Sequence, residues 1–207
     1  MSNTEIIVLA LPIILVSLTL HELAHAWVAW RLGDPSAKEQ GRLTLNPLVH
    51  LDPLGTFMLV ATYVIGGLPF GWARPVPVNP SYFRRPKEGM AVVAAAGPAM
   101  NFLVALGCYA SIVHLSLSGH VADAVSVGYT INVVLGIFNL IPIPPLDGSR
   151  ILGALMDNAT YARWLQLDQI GMLIVFGSFF IFRSEFQDLL ASAFNHVTSF
   201  MSTITGA

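Results

Sequence analysis

The chain has 207 residues, of which 55% are hydrophobic and only 11% charged, against roughly 25% charged residues in a water-soluble domain; its mean hydropathy is +0.68. That deficit of charge excludes an ordinary soluble globule, and a net charge of −2 offers no basic field for nucleic acid. The length suits a single domain over residues 1–207, since no Ser/Gly- or Pro-rich linker divides it.

The first apolar run, from about Glu5 to Trp30, is long enough for a transmembrane helix, which needs about 20 residues. It has no basic region before it and is expected to stay in the mature protein rather than be removed as a signal peptide. Within it stands His21-Glu22-Leu23-Ala24-His25. Imidazoles four residues apart share one helix face and can take two corners of a zinc tetrahedron, with Glu22 beside them to activate water. The blander reading is a hydrogen-bonded packing cluster or a snorkelling helix end. At 1.5 Å per residue, His25 lies about 9 Å and His21 about 15 Å from that end. Ionisable groups so deep in a membrane helix rarely persist without partners, which favours a metal.

The next apolar stretch, Leu51 to Trp72, is interrupted by Pro53, Gly55, Gly66, Gly67, Pro69 and Gly71, residues that end helices early. It reads as a segment that dips into the membrane and returns, with some β structure allowed. His50 precedes it, a candidate for the mouth of the site or for transient zinc contact, against an ordinary structural histidine. Arg74-Pro75-Val76-Pro77-Val78-Asn79 follows it. Its alternating prolines make it extended, either a plain structural strand or an imperfect edge on which an unwound substrate could pair.

Two further spans run from about Gly89 to Ser118 and Val121 to Ile141. Asn101, in Gly97-Pro98-Ala99-Met100-Asn101, reads as a helix-packing residue. The third span ends in Asn139-Leu140-Ile141-Pro142-Ile143-Pro144-Pro145-Leu146-Asp147-Gly148. Its prolines stop the helix and bring Asp147 out on the face where the first span ends. That makes Asp147 the best third ligand, with N-capping of the following helix as its alternative. Asn139 could donate to an oxyanion or to substrate, or simply bond between helices. A fourth span is expected from about Trp164 to Phe182. The tail from Glu185 to Ala207 has apolar residues at spacings of three and four, the pattern of an amphipathic helix lying at the interface, with a short extra crossing as its alternative.

Seven of the ten Lys/Arg lie between the first and second spans, and Arg150 and Arg163 between the third and fourth. By the positive-inside rule both connections face the cytoplasm, which holds only if Leu51–Trp72 does not cross. The expected fold is therefore an all-α polytopic membrane protein. It has about four transmembrane helices, a re-entrant segment and a C-terminal amphipathic helix.

Taken together, HELAH in one membrane helix, GPAMN in the next, RPVPVN between them, and Asn-x-x-Pro with Leu-Asp-Gly some 120 residues on resemble the site-2 protease family of intramembrane zinc metalloproteases. The resemblance covers nearly the whole chain and points to a minimal type without PDZ or CBS modules. It implies one zinc per chain on His21, His25 and Asp147, Glu22 as general base, and Asn139 near the site. It implies a transmembrane protein as substrate, cut near the cytoplasmic face of the lipid bilayer, and a multi-pass protein of the cell membrane. Oligomeric state is left open. Two other readings compete. A membrane metal transporter or metal-binding regulator should carry polar residues through both membrane halves, yet the opposite half offers only His114, His120 and Asp123. A catalytically inactive relative is disfavoured by the intact Glu22 and full ligand set.

Overall fold

A computed structural model of the chain describes residues 3–66 and 71–206. Its helices are α1 (Asn3–Arg31), α2 (Ser36–Glu39), α3 (Pro53–Gly66), α4 (Pro86–His114), α5 (Gly119–Asn139), α6 (Asp147–Gly153), α7 (Asn158–Gln166), α8 (Asp168–Ile181) and α9 (Arg183–Thr205). Among the described residues there is no strand, only an isolated antiparallel bridge between Leu51 and Ala73. Among the described residues three helices are long and apolar enough to cross a membrane: Leu9–Arg31 of α1, then α4 and α5. The protein is an integral membrane protein.

Helix α4 is the hub, packed against α1, α5 and α6. Many of the residues buried on α1 and α4 are small, among them Ala24, Ala26 and Ala29 on the first and Ala94, Gly97 and Pro98 on the second. Small side chains let helix backbones approach closely, the main source of helix association where lipid leaves no hydrophobic drive. Pro86 starts α4 in its first turn, where a missing N–H costs nothing. Helix α5 stops at Asn139, three residues before Pro142.

The stretch expected to dip into the membrane contains α3, whose 14 residues rise about 21 Å, short of the roughly 30 Å hydrocarbon core. Asp52 caps its start by accepting from the Gly55 N–H at 2.7 Å. The two ends of the stretch meet. Leu51 bridges Ala73, the Arg74 N–H donates to the His50 carbonyl at 2.8 Å, and a β-carbon on Gly55 would fall 2.1 Å from the Trp72 carbonyl oxygen. Gly67, Leu68, Pro69 and Phe70 lie outside the described residues. The β structure allowed for this stretch amounts to that single bridge.

The C-terminal third differs from expectation. The run Trp164 to Phe182 is divided at Leu167 between α7 and α8, and α8 has only 14 residues. Gly171, near its start, is packed against the Pro144 carbonyl. Helix α9, expected at the interface, instead lies lengthwise along the bundle. Phe186 near its start stacks on Phe138 at one end of α5, Tyr129 meets Thr198 and Phe194, and Thr205 accepts from His114 at the far end of α4. Phe194, Val197 and Met201 form the docking face, packed with Ala105, Tyr129 and Val133. Hydropathy ranks α8 above α9 as a span, but docking follows the face, and α9 carries aromatic and apolar residues at helical spacing.

Candidate metal centre

His21 and His25 project from one face of α1, one turn apart, and both are buried. Their Nε2 atoms lie 3.0 Å from each other. Asp147, the first residue of α6, brings its Oδ2 to 3.3 Å from His21 Nε2 and 3.4 Å from His25 Nε2. Among the described residues these three form the one group whose ligand atoms all lie within 4.8 Å of one another. The Leu140–Leu146 turn, which holds a cis Pro144–Pro145 bond, carries the chain from α5 back to this position.

The donor set fits a zinc ion. His25 Nδ1 lies 2.7 Å from the Val93 carbonyl, an acceptor only, so Nδ1 carries the hydrogen and Nε2 keeps its lone pair. Such a backing bond is what orients a metal-ligating histidine. Asp147 Oδ2 is buried without a hydrogen-bond partner. Burial would raise the Asp147 carboxyl, but the adjacent His21 and His25 side chains outweigh it and hold its pKa well below the usual carboxylate range. Three electron-rich atoms thus converge with edges of 3.0–3.4 Å. Ligands 2.0–2.1 Å from a tetrahedral centre are separated by about 3.3 Å.

Space for the ion is made by Gly97. A β-carbon there would fall 2.3 Å from His25 Nε2 and 2.6 Å from His21 Nε2, so only glycine leaves the cleft open. Its neighbour Pro98 belongs to the same turn and donates no hydrogen bond.

Glu22 is buried beside the pair and its Oε2 accepts from the Val76 N–H at 3.1 Å. The stretch Arg74–Asn79 therefore lies against the acid, as the sequence allowed. It is pinned at three points. The Arg42 guanidinium donates to the Arg74 and Pro75 carbonyls, Val76 bonds Glu22, and the Asn79 N–H donates to Asp34 Oδ2 at 2.6 Å. Burial, and then the nearby Arg74 cation, lower the Arg42 pKa, while the Glu22 carboxylate opposes them. Asp34 is fully buried.

Two further candidates have local partners. The Asn139 amide donates to Leu135 in its own helix at 3.0 Å. His50 is buried with Nε2 3.0 Å from the Thr44 carbonyl, at the base of the α3 stretch. Residues that sequence reasoning did not select are Gly97, the Val76 N–H, Ser17 and Asn132. The last two had a signal: polar side chains inside apolar helices need partners, and Ser17 sits four residues before His21.

The family model described as Peptidase family M50 matches residues 115–183, a stretch that includes Asp147 but not α1. The chain is 41% identical over 170 residues to "Putative zinc metalloprotease YwhC" of Bacillus subtilis, covering 78% of this chain and 75% of the relative. Rip2 of Mycolicibacterium smegmatis, which carries the same description, is 31% identical over 179 residues, covering 84% of this chain and 68% of the relative. The zinc metalloprotease MJ0392 of Methanocaldococcus jannaschii is 27% identical over 162 residues, 76% of this chain and 37% of the relative. No solved structure matches. With two such relatives matched over more than two thirds of their length, the chain belongs to peptidase family M50, the site-2 proteases.

Proposed function

We propose that this protein is an intramembrane zinc metalloprotease that hydrolyses peptide bonds within transmembrane segments of substrate proteins near the cytoplasmic face of the cell membrane. The observation that carries the reading is the convergence of His21, His25 and Asp147 within 4.8 Å, with the buried Glu22 beside them and apolar helices around them.

In this reading His21 Nε2, His25 Nε2 and Asp147 Oδ2 hold one zinc per chain. When bound, the metal polarises the scissile carbonyl and makes water acidic enough to attack near neutral pH. Glu22 takes the proton from the attacking water and later delivers it to the leaving amine nitrogen. The Val76 N–H holds the carboxylate in place for both transfers. A substrate helix must unwind before its carbonyl is reachable, and lipid cannot satisfy the freed groups. The extended Arg74–Asn79 stretch beside Glu22 is a surface against which unwound backbone can lie.

The placement of the site rests on charge and on the meeting of Leu51 with Ala73, which supports a stretch that enters and leaves on one side. The basic residues on both flanks put that side in the cytoplasm. Lengthwise packing of α9 supports it, rather than Trp164–Phe182, as the fourth crossing.

The test is zinc content together with cleavage of a model transmembrane peptide, in wild type and Glu22→Gln. Wild type should hold one zinc and cut; Glu22→Gln should hold zinc and lose about 10²–10⁴-fold in turnover. Zinc binding without cleavage by wild type would favour a metal-binding regulator or inactive relative; equal turnover by both would remove Glu22 as the base.

A further inference from the structure

Behind His21, away from Asp147, a line of buried polar side chains runs through three apolar helices. His21 Nδ1 lies 2.7 Å from Asn101 Oδ1 on α4. Asn101 Nδ2 donates to Asn132 Oδ1 on α5 at 3.0 Å. Asn132 Nδ2 donates to Ser17 Oγ on α1 at 2.9 Å and to the Gly128 carbonyl, in its own helix, at 2.8 Å. Asn101 is 0%, Asn132 1% and Ser17 2% exposed, so no water is at hand to replace a lost partner. An unsatisfied polar group so buried is costly, which makes the direction of each bond consequential.

The direction is fixed from one end. The Gly128 carbonyl can only accept, so Asn132 must present Nδ2 to it and Oδ1 to the other side. Oδ1 can only accept, so Asn101 must present Nδ2 to Asn132 and Oδ1 to His21. Asn101 Oδ1 can only accept, so His21 Nδ1 must carry the hydrogen, and in the neutral ring Nε2 keeps its lone pair. That lone pair is the one aimed at His25 Nε2 and Asp147 Oδ2.

We infer that Asn132 and Asn101 are positioning residues that set the tautomer of His21 from the backbone of α5, keeping Nε2 free to ligate before any metal arrives. Neither touches the ligand cluster's open side; both act through His21. The inference rests on the zinc reading above for its use, but the tautomer itself is a property of the zinc-free chain. Ser17 steadies the line at its far end, tying α5 back to the helix that carries the histidines.

The experiment is a nitrogen-15 spectrum of the full chain in detergent, labelled at histidine and stripped of zinc with a chelator, with His21 assigned through His21→Gln. The expected result is a protonated Nδ1 at His21 in wild type, giving way to a mixture of tautomers in Asn132→Leu and Asn101→Leu. An unprotonated Nδ1 in wild type would overturn the inference. In folded variants, zinc affinity by chelator competition should fall about 10–100-fold in each. The double variant should lose no more than Asn101→Leu alone, because both act through one line of bonds. Additive losses, or a pure His21 tautomer in Asn132→Leu, would also overturn it. A wild type that binds no zinc yet keeps Nδ1 protonated would sink the metalloprotease reading and leave the tautomer control standing.

Discussion

Gly97 and His25 stand so close that a β-carbon on the glycine would fall 2.3 Å from the histidine Nε2. The intrusion would come from helix backbone, which cannot swing aside as a long side chain can. Gly97→Ala should therefore displace the imidazoles, lowering zinc affinity more than about tenfold and abolishing peptidase activity. Zinc content and far-ultraviolet circular dichroism on the purified variant check it. A fully helical Gly97→Ala protein with normal zinc would mean that the two helices part at no cost.

Removing a ligand should act differently from removing the base. Asp147→Ala leaves two imidazoles and should lose most of its zinc, as should His21→Ala. Wild-type activity should vanish with a strong chelator and return on adding zinc. Normal metal content in Asp147→Ala would take that carboxylate out of the ligand set.

Val76 donates the hydrogen bond that holds Glu22, between two prolines that already keep the backbone extended. Val76→Pro removes the N–H without asking for a new backbone shape. Zinc should stay bound while turnover falls about tenfold or more, the effect of losing a bond to a charged group worth about 1.5–3 kcal/mol. Steady-state kinetics on a model peptide measure it; unchanged turnover would make the contact incidental.

Topology is testable with cysteines at Gln40, Ser81 and Gly206 in a Cys108→Ser background. An impermeant thiol reagent on sealed, oriented vesicles should label Gln40 and Ser81 sites from one face. The Gly206 site should label from the other, because α9 runs from the Phe138 end of α5 to the His114 end of α4. Labelling of all three from one face would return α9 to the interface.

The metal site was legible where side chains speak. Two histidines at helical spacing, and a carboxylate emerging after prolines stop a helix, are patterns in residue type. Gly97 was silent because its contribution is an absence, and Val76 because its contribution is a backbone N–H that every residue but proline owns. Asn132 and Ser17 were readable as buried polar groups in need of partners, but not as partners of each other, since helix adjacency is not written locally. The docking of α9 along the bundle has a similar cause. Hydropathy sums composition along a segment, whereas Phe194, Val197 and Met201 dock by the face they share. Asn139 and His50 were plausible by type, and each has one local partner, the Leu135 and Thr44 carbonyls.

The three pins on Arg74–Asn79 bear on selectivity. Arg42, Glu22 and Asp34 grip it at its start, middle and end, so it is a stiff wall rather than a mouldable groove. A wall that cannot adapt its shape reads little of a visitor's side-chain lettering. On the proposed function, such a wall favours an incoming helix that comes apart cheaply, and glycine, proline or asparagine near the cut, more than any consensus string, is expected to govern cleavage.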